Sequence, residues 1–238
     1  MTDTILSQLK QSTSEAEKTW IITRTLLDTQ TEALKTAVLA AAVPHWFDVK
    51  VLATLLEIES QNAQECYERL QALSFCESFG DLGHTLHDLT RGAVLWHLTL
   101  FQKDLFMSFS RRAHNYFFQF DAPQKCVEAA YHLMACEPVN GATYFKSLMK
   151  GYLKKKNFSA SNNLLRNAKE LIKLNLLGPS ETAIVDYQKY LMAQKLIEEG
   201  QRQDKSHIKR DYLTQAMQHF TLKEPTSTQD LSDSSQLY

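Results

Sequence analysis

The sequence predicts a mainly α-helical protein. Its first part reads as a winged-helix-like domain, helices plus one β-hairpin, and its second as a TPR-like array of antiparallel α-hairpins. Three observations carry this. The 238 residues hold only five prolines and seven glycines, a scarcity that long helices tolerate and a many-turned β-protein does not. Most segments repeat apolar residues at i, i+3, i+4 and i+7, the spacing of one buried helical face. The period changes between Ser74 and Asp88, where glycines bracket two short β-favouring runs.

Residues 1–30 read as an N-terminal helical extension. Residues 1–13 are polar and are expected to fray. Ser12 followed by Glu15 has the form of a capping box, and the helix after it carries Trp20, Ile21, Ile22, Leu26 and Leu27. The winged-helix-like domain spans 31–106. Its first helix places Leu34, Ala37, Val38 and Ala41 on one face, and Pro44 stops it because the residue before a proline avoids the helical region. Asp48 is a cap for the next helix, which buries Val51, Leu52, Leu55 and Leu56. Ser60 is a cap for a third, with Ala63, Cys66, Tyr67, Leu70 and Leu73 on one stripe. "SFCESFGDLGHTLHD" then reads as a hairpin turning at Gly80-Asp81-Leu82-Gly83. Asp88 is placed to cap a helix holding Val94, Leu95, Trp96, Leu98 and Phe101. Three helices, a hairpin and a helix follow the order of a winged helix.

The TPR-like helical repeat domain covers 107–222. Helical segments end near Pro123, Pro138, Gly178-Pro179 and Gly200, which describes antiparallel helix pairs side by side. Tyr152, Phe158 and Ala168 fit tetratricopeptide spacing loosely. Residues 223–238 are rich in Ser, Thr and Asp and read as a disordered tail.

Composition narrows the function classes. A net charge of −1 provides no global field toward nucleic acid or an acidic membrane. There is no secretory signal and no run of 18 apolar residues, so a soluble cytoplasmic protein without a membrane partner is expected. Cys66, Cys76, Cys126 and Cys136 form no CxxC pair and read as buried free thiols. His84 and His87, with Asp81 and Asp88 beside them, invite a metal reading. A zinc site needs three or four ligands, and no HExxH or second His/Cys cluster supplies them. His84 is therefore read as an exposed wing residue, and His87 with Asp88 as helix-entry packing and capping. Cys126 and His132, at i and i+6, point to different helix faces, so His132 is read as a packed imidazole. The chain has no GxxxxGK[ST] and no GxGxxG. No enzyme, no cofactor and no metal is expected.

Charge weighs against DNA reading by the third helix. Glu65 and Glu68 stand against Arg69, Glu57 and Glu59 lie on the approach, and Glu77 and Asp81 lie on the wing. Gln61, Asn62 and Gln64 could read bases but lack basic support. The basic cluster Lys150, Lys154, Lys155 and Lys156, followed by Arg166, Lys169 and Lys173, reads either as a solvated helix end or as a docking patch for an acidic partner.

"AVLAAAVPHWFDVKVLATLLE", "ERLQALSFCESFG" and "HTLHDLTRGAVLWHL" resemble the winged-helix module that follows the ATPase domain in bacterial STAND-type signalling ATPases, relatives of the NB-ARC proteins. "SFSRRAHNYFFQ" and "VEAAYHLMACEPVNGATYF" resemble the helical segment after that module; the likeness covers roughly residues 31–150. In that family a Met-His-Asp type motif ends the wing, and its histidine contacts the β-phosphate of ADP. Leu86-His87-Asp88 takes the matching position. The resemblance thus implies His87 as a nucleotide-sensor position, vestigial here or served in trans, because the chain has no Walker motif.

These readings converge on a non-enzymatic interaction or adaptor protein in bacterial signalling or regulation. A helical-repeat groove would take a protein or peptide, with Tyr144, Tyr152, Lys154, Lys155, Tyr187 and Tyr190 as partner-binding residues. Nucleic acid, and nucleotide without a separate ATPase, are disfavoured as partners. The alternatives are a winged-helix transcription regulator and a trans-acting subunit of a split ATPase switch.

Overall fold

A computed structural model describes residues 2–180 together with 184, 185, 211 and 214. The chain separates into two compact units, Met1–Leu176 and Leu177–Tyr238. The first unit is mainly helical with one small antiparallel sheet. Its helices are α1 (Thr2–Gln11), α2 (Glu15–Leu27), α3 (Glu32–Ala41), α4 (Val49–Leu56), α5 (Ser60–Gln71), α6 (Asp88–Phe101), α7 (Lys103–Phe117), α8 (Pro123–Cys136), α9 (Pro138–Lys154) and α10 (Phe158–Lys173). The expected helices of "SETAIVDYQKYLMAQKLIEEG" and "IKRDYLTQAMQHF", and the expected disordered tail, lie outside the described residues. Among the described residues, no helix is long and apolar enough to cross a membrane.

Local chemistry explains most boundaries and corrects several expectations. The polar opening is helical instead of frayed: α1 packs along α2, and Arg24 Nη2 donates to Gln8 Oε1 at 3.0 Å. The capping residue of α2 is Ser14, not Ser12. Ser14 Oγ accepts from Glu17 N at 3.1 Å while the Glu17 carboxylate accepts from Thr13 N at 2.9 Å. Ser12 Oγ instead donates to Leu9 O, closing α1. Leu34, Ala37, Val38 and Ala41 are all buried on α3, and the helix stops before Pro44 as expected. Asp48 caps α4, its Oδ1 accepting from Val51 N at 2.8 Å. Glu59, not Ser60, holds the N-cap position of α5, without a side-chain cap bond. His87 holds that position on α6, so Asp88 is the first helical residue, where its charge complements the helix dipole. Pro123 opens α8, after α7 has stopped at Phe117, and Pro138 opens α9 directly after α8; each occupies the first turn, where a missing N–H costs nothing.

The hairpin forms where the period breaks. Strand β1 (Cys76–Ser78) pairs antiparallel with β2 (His84–Leu86), Cys76 facing Leu86 and Ser78 facing His84, around a 3-10 turn at Gly80–Leu82. A third segment lies beside it. Phe47 and His84 exchange backbone hydrogen bonds of 2.8 and 2.9 Å. Gly83 makes this approach possible: its φ is +123°, and a Cβ there would stand 2.4 Å from Phe47 O.

The core builds outward from α8, which packs against α7, α9 and α10. Its residues are buried almost without interruption from Val127 to Cys136. A helix enclosed on all sides forces every polar residue on it to find a partner inside the protein. Elsewhere α2 packs on α6, with Trp20 stacked on His97 at 4.0 Å, and α4 packs on α5 and α7. The four cysteines are free; Cys136 is buried and the other three are half-buried, so full burial was an overstatement for Cys66, Cys76 and Cys126. Burial raises the Cys76 thiol to about 11, with Glu77 adding to the effect.

Candidate functional site

Helix α8 carries Glu128 into the core, and the fold gathers charged groups around it. His45 follows the buried Pro44 after α3. Its Nδ1 lies 2.8 Å from Glu128 Oε1, and its backbone N–H donates to Glu128 Oε2 at 3.2 Å. Its Nε2 lies 3.4 Å from Glu170 Oε2 on α10. Arg91 of α6 completes the set: Nη1 donates to Glu170 Oε2 at 2.9 Å, Nε to Pro44 O at 3.2 Å and Nη2 to Val43 O at 3.3 Å. Tyr131 OH donates to Glu170 Oε1 at 2.7 Å. Four chain segments, separated by dozens of residues, therefore meet at one buried ionic cluster.

The protonation states follow from this geometry. Burial pulls the proton off His45 more strongly than any single neighbour holds it, but the Glu128 and Glu170 carboxylates together outweigh burial and the Arg91 charge, so its pKa lies above the usual histidine value. Both ring nitrogens lie within ion-pair distance of carboxylate oxygens, which favours the imidazolium. Burial would push Glu128 upward; the charge on His45, 2.8 Å away, overcomes this and holds it far below the usual carboxylate range. Glu170 is likewise held low against burial, by the His45 hydrogen bond and the Arg91 charge. Two cations thus balance two anions. Asn167 Nδ2 lies 3.4 Å from His45 Nδ1, and its buried Oδ1 has no partner. The amide turned over would present Oδ1 to the imidazolium, the orientation that chemistry favours.

His132 differs. It is fully buried, stacked parallel to Phe117 at 5.9 Å, and burial keeps it neutral by lowering its pKa. Its Nε2 faces Glu128 Oε2 at 3.5 Å without a directed hydrogen bond. The packed imidazole read from the sequence is the one found, but its nearness to Glu128 was not foreseen.

The residues singled out from the sequence lie apart from this cluster. His84 is half-buried, its Nδ1 2.7 Å from Tyr67 OH, so it is no exposed wing residue. His87 is exposed, with Nε2 3.3 Å from Glu77 Oε2. Tyr144 is half-buried and edge-on to the exposed Phe118 at 5.7 Å. Tyr152 is buried, its hydroxyl donating to Pro123 O at 3.3 Å, which removes it from the surface. Lys154 and Lys155 are exposed, and so are Lys150, Lys156, Arg166, Lys169 and Lys173. Tyr187 and Tyr190 lie outside the described residues. The carboxylates of Glu57, Glu59, Glu65, Glu68, Glu77 and Asp81 all belong to exposed residues, which makes the α5 and hairpin surface acidic.

An open cleft of about 570 Å³ lies along α7, lined by Glu57, Asp104, Met107, Ser108, Arg111, Arg112 and Asn115. Arg112 braces its wall, donating to Leu55 O and Glu57 Oε2, each at 2.6 Å. Among the described residues no group of three or more His, Cys, Asp or Glu side chains is arranged to hold a metal ion. No family model, curated protein or solved structure matches the chain.

One sequence signal did point to the cluster. Glu128 interrupts "CVEAAYHLMAC", a segment otherwise apolar enough to be enclosed. A carboxylate in such a helix requires a buried cation.

Proposed function

We propose that the protein is a non-enzymatic interaction protein, an adaptor that presents aromatic side chains on a rigid helical frame to a protein partner. The observation that carries this reading is the aromatic surface at the end of α7. Phe118 is 58% exposed and packs edge-on against Tyr144 of α9. A second, half-buried pair, Tyr116 and Phe120, packs edge-on at 5.3 Å, with Lys125 Nζ 3.5 Å above the Phe120 ring. Exposed aromatics with a cationic rim are the side chains that contribute most at protein interfaces. The buried ionic cluster supports the same reading, because it fixes the frame that holds this surface.

The finer architecture belongs to the same proposal. Three helices, the hairpin joined by the Phe47–His84 bridge and then α6 support a winged-helix-like unit of the STAND-associated kind. The packing of α10 on both α8 and α9 supports a TPR-like succession. The acidic surface of α5 favours a protein over DNA as its partner. A nucleotide phosphate approaching His87 would meet Glu77, which argues against a sensor acting alone.

The test is affinity capture with the wild-type chain, Phe118→Ala and Tyr144→Ala, read by quantitative mass spectrometry. A partner held by the wild type and lost from both folded variants supports the reading. Equal capture by all three overturns it.

A further inference from the structure

His45 is surrounded on every side by groups that respond to its charge. Glu128, Tyr131 and His132 face it from α8, Glu170 and Asn167 from α10, and Arg91 from α6. We propose that this cluster is a proton-operated latch, in which the imidazolium of His45 holds α10 closed on the Val43–His45 segment and loss of its proton lets α10 open locally. This goes beyond the adaptor reading and holds whichever partner the protein binds.

The geometry assigns the roles. His45 Nδ1 lies 2.8 Å from Glu128 Oε1 and Nε2 lies 3.4 Å from Glu170 Oε2, so the charge of an imidazolium attracts both carboxylates at once. A neutral imidazole carries no charge, so both carboxylates lose that attraction and Arg91 is left as the cluster's cation, while Tyr131 OH and the His45 backbone N–H still donate to them. The two carboxylates are unequal in what they can tolerate. Glu128 is 4% exposed and sits on the helix enclosed by α7, α9 and α10. Glu170 is 27% exposed, so water reaches it when its helix shifts. The side that gives way is α10, the element bound by Arg91 and Tyr131 through the same carboxylate.

The sign follows from linkage. His45 holds its proton more tightly folded than unfolded, so its contribution is complete below the unfolded value of about 6.5. That contribution is lost as pH rises through the higher folded value. His132 is already neutral across that window, because its pKa is lowered.

The experiment is amide hydrogen exchange of the full chain at pH 6 and pH 9, corrected for intrinsic rates. Protection of α10 amides from Leu164 to Leu171 is expected to fall as pH rises through the folded value of His45, by up to about tenfold per pH unit, the limit for a single proton. Protection in α3 should stay constant. His45→Gln should abolish the pH dependence, and His132→Phe should keep it. Should His45→Gln fail to fold, the wild type and His132→Phe still decide. Unchanged α10 protection in both, or the same loss in α3 as in α10, overturns the latch.

Discussion

Replacing Arg91 by methionine isolates the ionic cluster's contribution to the fold. The arginine is 7% exposed and serves three acceptors: the Glu170 carboxylate and the carbonyls of Pro44 and Val43. Methionine keeps most of the aliphatic stem, so the loss is mainly polar. Removing one partner of a buried ion pair costs about 3–5 kcal/mol, because the other charge is left uncompensated. Glu170 keeps Tyr131 and His45 and is partly open to water, which places the cost near the lower bound, about 3 kcal/mol. For a unit of this size each kcal/mol moves the melting midpoint by about 2–4 °C, so Arg91→Met should lower it by roughly 6–12 °C. The assay is thermal and urea denaturation followed by circular dichroism. Arg91→Met combined with Glu170→Met should recover part of the loss, since both charges are then gone, but Tyr131 and His45 lose a partner. A single-variant cost below about 0.5 kcal/mol, the size of an ordinary surface change, would refute the reasoning.

Three other outcomes follow. Gly83→Ala forces a Cβ to within 2.4 Å of Phe47 O at a φ of +123°, and Gly141→Ala forces one to within 2.3 Å of Met134 Cα where α8 and α9 touch. Each should cost about 1–3 kcal/mol or more by denaturant titration, whereas Gly92→Ala, which meets nothing within 4 Å, should not. Asp48→Ala removes the α4 cap and should cost about 1 kcal/mol, with Asp48→Ser retaining most of it. Glu128 and Glu170 are held low in the fold, so their stabilisation is complete above the unfolded carboxylate value of about 4.3 and is lost as pH falls below it. Acid titration of the melting midpoint should therefore fall steeply below that value, and less steeply in Glu170→Gln.

The legibility of this molecule was uneven, for a physical reason. Elements set by local rules were readable: the Leu34, Ala37, Val38 and Ala41 face, the Asp48 cap, the hairpin around Gly80 and the boundary at Pro138. Caps chosen between adjacent candidates were less so. Ser12 and Ser14 both precede a glutamate by three residues, and only the end of α1 decides between them. The ionic cluster was the least legible. Spacing arguments compare neighbours along the chain, while His45, Arg91, Glu128 and Glu170 meet only after α3, α6, α8 and α10 have packed. His84 and His87, three residues apart in the sequence, look like a pair but turn to different partners, Tyr67 and Glu77. Tyr152 is buried, although an aromatic at helical spacing looks alike in sequence whether it faces core or solvent.

The state of one imidazole carries the whole account of a charge-balanced interior joining distant parts of the chain. Nuclear magnetic resonance of the full chain with ¹⁵N-labelled histidine reads it directly, with His45→Gln assigning the signal. Two protonated ring nitrogens on His45 at pH 6.5, persisting to a pH at which a free histidine is neutral, is the predicted result. A neutral His45 with a single protonated nitrogen at pH 6.5 would contradict the account.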